Sequence, residues 1–198
     1  MLRQSFQSIF QAYLYYNADS AIVYAQKNMK IAAQLNKPDL IALAKCNLAF
    51  ISVTSGDNIQ AYKLMSSIDV SDMPTWLKIE YYKTQNRLWN EQRYCFVACK
   101  KQQAIYARYA ENAIDSLLAL VQPKSANWFL YTIAKKDLKG DNDQVIKLVN
   151  QALANQNDSD MCRKNCDDNL MFIMSTWNGR VRSSGTILNI DDALANQR

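Results

Sequence analysis

The chain has 198 residues, of which 49% are apolar and 21% are charged, so its composition is that of a folded protein. Four glycines and three prolines are too few for the turns of an all-β fold. The absence of histidine excludes Ser-His-Asp and Cys-His catalysis and HExxH zinc sites.

The formal charge of +5 is mild and the basic residues are scattered, so nucleic-acid binding is not expected. The first 16 residues are amphipathic and lack the features of a signal peptide. No apolar run reaches the roughly 18 residues that suggest a membrane span. The stretch NADSAIVYAQKNMKIA, which starts at Asn17, predicts a helix with Asp19 as N-cap and Ala21 and Ala25 on one face.

A glycine turn occurs twice further along the chain. TSGDNIQAYKLM at 54–65 and LKGDNDQVIKLV at 138–149 are identical at six of twelve positions. Gly56 and Gly140 each follow a helical pattern, where glycine is usually a C-cap with positive φ. The Asp that follows each glycine is a good N-cap for a next helix. The sequence therefore predicts two helix–turn–helix hairpins with the same turn.

The unit between these turns has no glycine, and the 84-residue spacing of Gly56 and Gly140 is not a multiple of the usual repeat length. We place its joint near Asn90, within LWNEQRY at 88–94. Cys95 and Cys99 would then occupy small, apolar packing positions like those of Ala21 and Ala25. The stretch from there to Pro123 is either one long helix or two helices with a bend.

Five cysteines comprise Cys46 and two CxxxC pairs, Cys95/Cys99 and Cys162/Cys166. Four thiolates from two helices could bind zinc, but zinc spacing is usually CxxC. We therefore expect no metal and no disulfide between the pairs. Because phosphate-binding and dinucleotide-binding loops are also missing, no cofactor is expected. The odd cysteine count favours a reducing compartment and hence the cytoplasm.

Repeated αα-hairpins with Gly-Asp turns and small residues at the helix contacts resemble the tetratricopeptide repeat (TPR) family over residues 1–156. YYNADSAIVYAQKNMKIAAQLN and YAENAIDSLLALVQPKSANWFLYTIAKKDLKGD are more narrowly similar to the TPR-like sensor half of bacterial membrane-anchored transcriptional regulators. This resemblance implies a sensor region, and it makes the periplasmic part of such a regulator the alternative location. The similarity ends at about residue 157.

We predict an all-α fold of αα-hairpin repeats stacked as a TPR-like superhelix of eight to ten helices. The joints are placed at about Asn17, Gly56, Asn90 and Gly140. Residues 1–177 form the repeat domain, with NLMFIMSTW as a buried final helix. Residues 178–198 form an irregular tail, in which RVRSSGTIL predicts a small hairpin.

The predicted function is a non-catalytic interaction or sensor module that binds a protein segment or partner subunit in a signalling or regulatory protein; a homo-oligomer is compatible with it. The alternative is an enzyme with carboxylate or thiolate chemistry, which would need a pocket of paired acids. In the TPR register, a groove would place a ligand carboxylate on Arg87. Its predicted residues are Asn47, Tyr81, Thr84, Arg87, Asn127 and Tyr131.

Overall fold

A computed structural model of the chain describes residues 2–14 and 17–156. This part contains eight α-helices and no strand, which confirms the all-α helical-repeat fold. The helices are α1 Leu2–Leu14, α2 Ala18–Gln34, α3 Pro38–Thr54, α4 Asn58–Ser66, α5 Thr75–Cys95, α6 Lys100–Leu120, α7 Ala126–Leu138 and α8 Asn142–Gln156.

Four predictions lie outside the described residues. These are the domain boundary at 177/178, the hairpin in RVRSSGTIL, the helix NLMFIMSTW and the cysteine pair 162/166.

The chain divides into two units, Met1–Val121 and Gln122–Arg198. In the first unit α1 packs on α2, α3 on α4, and α5 on α6, which are the hairpins expected of a helical repeat. Helix α3 also packs against α2 and α5, so it is the central helix of this unit. In the second unit α7 and α8 form one hairpin, around a small core of Ile133 and Val145.

Small residues at the helix contacts explain the close packing of the first unit. Ala21 and Ala25 of α2 are fully buried against Phe10, Leu48 and Ile51. Alanine lets helix backbones approach, while the larger side chains fill the space between them. Two further clusters continue this core; one contains Phe6, Ala32, Leu40, Leu43 and Leu77, and the other contains Cys46, Ala49, Ala61, Met65, Tyr81 and Leu88.

The two glycine turns have the predicted conformation. Gly56 has φ +84° and Gly140 has φ +70°. The amide of Asp57 donates to the carbonyl of Ser52 at 2.8 Å, and that of Gly56 donates to Val53 at 3.1 Å. This is the Schellman C-cap, and the same pair of hydrogen bonds recurs around Gly140. The carboxylate of Asp57 then accepts the amide of Gln60 at 3.0 Å as the N-cap of α4.

A third turn of this type was not recognised in the sequence because it contains no glycine. Asn36 follows the end of α2 with φ +50°. The amides of Asn36 and Lys37 donate to the carbonyls of Ala33 and Ala32, as in a Schellman cap. Asparagine is the residue other than glycine that adopts this left-handed conformation most readily, so it takes the place of a glycine here.

The joint predicted near Asn90 is wrong. Helix α5 continues to Cys95, and the turn occupies residues 96–99. Asn90 lies on the helix, where its side chain donates to Asn86 Oδ1 at 3.2 Å. No residue of LWNEQRY breaks a helix, and an asparagine at a helix surface lowers helix stability only slightly.

The packing role predicted for Cys95 and Cys99 is also wrong. Cys95 ends α5, Cys99 is the residue before α6, and both thiols are exposed. The buried small positions of this hairpin are instead Ala110 and Ala113. The stretch from Cys95 to Pro123 is thus a turn followed by one helix, α6.

Candidate functional site

The six predicted groove residues differ widely in exposure. Asn47 and Thr84, on the adjacent helices α3 and α5, are buried. Asn47 Nδ2 donates to Gln7 Oε1 of α1 at 3.3 Å. Thr84 Oγ1 donates to the carbonyl of Glu80, one turn earlier in its own helix, at 3.0 Å. Both side chains therefore have partners within the fold.

The two predicted groove tyrosines are buried, Tyr81 at 9% and Tyr131 at 7% exposure. The Tyr81 hydroxyl accepts a hydrogen bond from Gln85 Nε2 at 2.8 Å, and burial raises the pKa of this tyrosine. Arg87 is half-buried and forms an ion pair with Glu91 at 2.8 Å.

The structure brings four of the six groove residues to neighbouring helices. These four are Asn47 of α3 and Tyr81, Thr84 and Arg87 of α5. The other two, Tyr131 and the exposed Asn127, belong to α7 of the second unit.

Apart from the predicted groove residues, aromatic side chains of α4, α5, α6 and the α5–α6 turn form a cluster. The indole of Trp89 stacks on Tyr106, with ring centroids 5.9 Å apart, and lies 5.1 Å from the ring of Tyr109. Tyr62 of α4 meets the same indole edge-on at 6.2 Å, and Phe96 contacts Tyr106 at 5.4 Å. We call these five residues the aromatic surface: Tyr62, Trp89, Phe96, Tyr106 and Tyr109.

This cluster differs from a core because several of its members face solvent. Tyr62 is 55% exposed and Tyr109 is 39% exposed. Phe96 and Val97 of the α5–α6 turn are also exposed. Large apolar side chains that face solvent together commonly mark an interaction surface.

A pocket of about 290 Å³ opens between α5 and α6 beside these rings. Ala113, which has no side chain beyond Cβ, leaves room at its wall. The side chains of Gln85, Asn112 and Ser116 supply polar groups, and no charged residue contributes to the lining. The lining residues are Tyr82, Gln85, Trp89, Tyr109, Asn112, Ala113 and Ser116.

Three groups that could take part in catalysis, Glu80, Glu91 and Cys46, are held in ion pairs or in the core. Glu80 and Glu91 each form an ion pair with a basic residue of their own helix, Lys83 and Arg87 respectively. Burial raises the pKa of the Cys46 thiol to about 12, which keeps it protonated and unreactive at neutral pH. No three Cys, Asp or Glu side chains of this part of the chain are arranged to hold a metal ion.

The aromatic surface was missed from the sequence because most tyrosines were interpreted as core. Tyr106 and Tyr109 are three residues apart, which predicts proximity on a helix. Their contact with Trp89 depends on how α5 packs against α6, and the misplaced joint at Asn90 put Trp89 beside a turn. To predict that Trp89 contacts these tyrosines, one needs to know that α5 continues to Cys95.

Hairpins of helices with repeated Schellman turns define the chain as a TPR-like helical repeat, and TPR-type domains are generally non-catalytic protein-interaction modules. A family model described as the SusR N-terminal TPR domain matches residues 4–168. The chain belongs to this family. No curated protein and no solved structure matches the chain. None of the described helices is long and apolar enough to cross a membrane.

Proposed function

We propose that the chain is a non-catalytic sensor or scaffolding module of a regulatory protein, and that it binds a protein segment at the aromatic surface. The observation that carries this proposal is the chain of ring contacts from Tyr62 through Trp89 to Tyr109, with both tyrosines exposed. Tyrosine and tryptophan contribute most of the binding energy at many protein interfaces, because large rigid rings lose little entropy on binding.

The size and lining of the pocket support a protein segment as the ligand. A volume of about 290 Å³ is at the lower end for small-molecule sites, and it suits one or two side chains of a bound segment. The amide of Asn112 and the Oε1 atom of Gln85, whose Nε2 donates to Tyr81, can hydrogen-bond the backbone of such a segment. The lining contains hydroxyl groups but no carboxylate, lysine or thiol, so it offers no base to activate a hydroxyl as a nucleophile.

The groove residues on α3 and α5 are less accessible to a ligand than the aromatic surface. A ligand that used Asn47 or Thr84 would first have to break their hydrogen bonds within the fold. Breaking a buried hydrogen bond costs about 1–3 kcal/mol unless the ligand replaces it fully. The aromatic surface requires no such exchange because Tyr62 and Tyr109 are already exposed.

A peptide-display selection tests the proposal even though the partner is unidentified. A random library is selected on the whole chain, and the affinities of the enriched peptides are measured by fluorescence anisotropy. We expect Tyr62→Ser/Tyr109→Ser to weaken binding about a hundredfold, since two exposed aromatic anchors contribute about 1–2 kcal/mol each. The matched control is Val23→Ser/Ile31→Ser, which removes two exposed apolar side chains of α2.

Two further outcomes decide between the surfaces. Peptides that bind the Tyr62→Ser/Tyr109→Ser variant as tightly as the unaltered chain would refute the aromatic surface. Loss of binding in Asn47→Ala/Asn127→Ala alone would instead support the groove predicted from the sequence.

The cytoplasmic location is also part of the proposal, and the odd number of cysteines supports it. Exposed thiols persist in the reduced form in the cytoplasm, whereas an oxidising compartment favours disulfides. A membrane-impermeant maleimide added to intact cells of the native organism should leave the exposed thiols of Cys95 and Cys99 unlabelled until the cells are lysed. Labelling before lysis would place the chain outside the cytoplasm, as in the periplasmic alternative.

A further inference from the structure

The pocket beside the aromatic surface is a short groove between one stripe of α5 and one stripe of α6. The α5 stripe consists of Tyr82, Gln85 and Trp89, and the α6 stripe consists of Tyr109, Asn112, Ala113 and Ser116. Residues three, four and seven positions apart share one face of a helix, so each stripe runs along its helix. Each stripe advances by seven positions, which at a rise of 1.5 Å per residue is about 10 Å.

Aromatic rings occupy both ends of this groove, and amides lie between them. At one end the ring of Trp89 lies 5.1 Å from that of Tyr109, so the last residue of the α5 stripe meets the first residue of the α6 stripe. Tyr82 begins the α5 stripe and lies at the other end. Gln85 and Asn112 are placed between the two ends. A ligand that follows the groove therefore meets a ring, then amides, then a second ring.

The two rings of the α5 stripe are held by the core. Tyr82 and Trp89 are half-buried and pack against the core cluster that contains Tyr81 and Leu88. Tyr82 also meets the ring of Tyr81 edge-on, with centroids 5.3 Å apart. Rings fixed in this way lose little entropy when a ligand packs on them. Their separation of about 10 Å along α5 therefore selects among the conformations of a bound segment.

This separation matches the repeat of a polyproline II helix and not that of a β-strand. In polyproline II, residues i and i+3 lie on the same side, about 9.3 Å apart. Residues on one side of a strand are about 7 Å or about 13 Å apart. Residues 2–14 and 17–156 contain no strand, so a bound strand would find no sheet edge there to pair with.

An α-helix with apolar residues seven positions apart has a similar spacing, about 10 Å, but its backbone does not suit the amides of the groove. The backbone amides and carbonyls within an α-helix bond to one another. A polyproline II helix has no internal hydrogen bonds, so its carbonyls remain free to accept. Asn112 has an exposed side chain in the middle of the groove, and its Nδ2 can donate to such a carbonyl.

We propose that the segment bound at the aromatic surface is proline-rich and binds as a polyproline II helix with prolines at positions i and i+3. This inference rests on the proposed function and names the chemistry of its partner. One proline ring packs on Trp89 and Tyr109, and the other packs on Tyr82. The carbonyl between them accepts a hydrogen bond from Asn112. Because the groove lining is uncharged, the prolines and the residues between them need no charge.

The same peptide selection provides the first test, because the spacing of prolines is read directly from the enriched sequences. We expect two prolines separated by two residues. In the strongest binder, moving one proline by one position keeps the composition and should weaken binding about tenfold, since one proline ring loses its aromatic partner.

Two variants of the groove provide the second test. Asn112→Leu removes the amide and should weaken the peptide about tenfold. The matched control is Asn150→Leu, at an exposed asparagine of α8, which should leave binding within about twofold. Tyr82→Leu should also weaken the peptide about tenfold, but it should add little to the loss in the peptide with the moved proline, because both changes remove the same contact. The melting temperature of each variant shows that it is folded.

The outcomes separate this inference from the proposed function. Enriched peptides that lack proline, gain helical circular dichroism on binding and still depend on Tyr62 and Tyr109 would overturn the proline-rich partner and leave the aromatic surface standing. Equal affinities of Asn112→Leu and Asn150→Leu would overturn the hydrogen bond that distinguishes polyproline II from a helix. Fully additive losses from Tyr82→Leu and the moved proline would show that they do not contact one another, which would also overturn the inference.

Discussion

Replacing Gly56 by alanine isolates the conformational energy of one turn. The residue has φ +84°, and a Cβ added there would meet no atom within 4 Å. Steric overlap therefore adds nothing, and the cost is that of placing alanine in the left-handed region, about 1 kcal/mol. The Schellman hydrogen bonds of Gly56 and Asp57 depend on that conformation, so alanine cannot avoid the cost by relaxing.

The expected change in melting temperature follows from the size of the first unit. An unfolding entropy of about 2.1 cal/mol/K per residue over Met1–Val121 is about 0.25 kcal/mol/K. A loss of about 1 kcal/mol should therefore lower the melting temperature by about 4 °C. Differential scanning calorimetry or far-ultraviolet circular dichroism, which reports helix content, measures this shift.

Two comparisons make the measurement specific to the turn. Ser55→Ala changes the neighbouring exposed residue, which has φ −87°, and it should shift the melting temperature by less than about 2 °C. Asn36→Ala should cost about half as much as Gly56→Ala, because asparagine tolerates the left-handed region only partly. An unchanged melting temperature in Gly56→Ala would refute this account of the turn.

Three further predictions concern the core, a helix end and a buried thiol. Leu43→Ala should cost about 3 kcal/mol of unfolding free energy in urea titrations because Leu43 is fully buried, whereas Ile59→Ser at an exposed site should stay within about 0.5 kcal/mol. Lys100→Glu should stabilise the fold by about 0.3–1 kcal/mol, since an acidic side chain in the first turn suits the helix dipole. The folded pKa of Cys46, about 12, lies above the ordinary thiol value of 9.0. As pH rises, the thiol of the unfolded chain therefore loses its proton before that of the folded chain does. The free energy of unfolding falls between pH 9 and about 12 for this reason. In a series of denaturation measurements at alkaline pH, Cys46→Ala should show a smaller fall.

The sequence predicted those parts of the fold that depend on a few consecutive residues. A glycine after a helical pattern followed by Asp encodes both the end of one helix and the start of the next, and Gly56 and Gly140 have this role. Asn36 was missed because asparagine also occurs at helix starts and on helix surfaces, so its identity alone does not indicate a left-handed turn. Asn90 was misassigned for the same reason.

The candidate site was harder to predict because it depends on packing between helices. The spacing of Tyr106 and Tyr109 shows that they lie near one another, but not whether that face is turned to the core or to solvent. Trp89 contacts these two rings only because α5 packs against α6. Helix α6 begins after the turn at 96–99, and the predicted joint lies too early in the chain. Among the residues predicted as a groove, Tyr81 and Thr84 of α5 are buried, and Tyr81 packs in a core cluster with Cys46 and Ala49 of α3.

The start of α6 combines three features that do not help this helix to fold. Cys99 precedes the helix without a side-chain hydrogen bond to its first turn, as Lys37 and Pro74 do for α3 and α5, whereas Asn17, Asp57 and Ser125 each supply one for α2, α4 and α7. The first turn of α6 carries Lys100 and Lys101 where acidic residues are favoured, and the preceding turn exposes apolar side chains. Natural sequences depart from local preferences mainly where function requires it. Phe96 of this turn belongs to the aromatic surface, so the unfavourable start of α6 directly follows a residue of the surface where we propose binding.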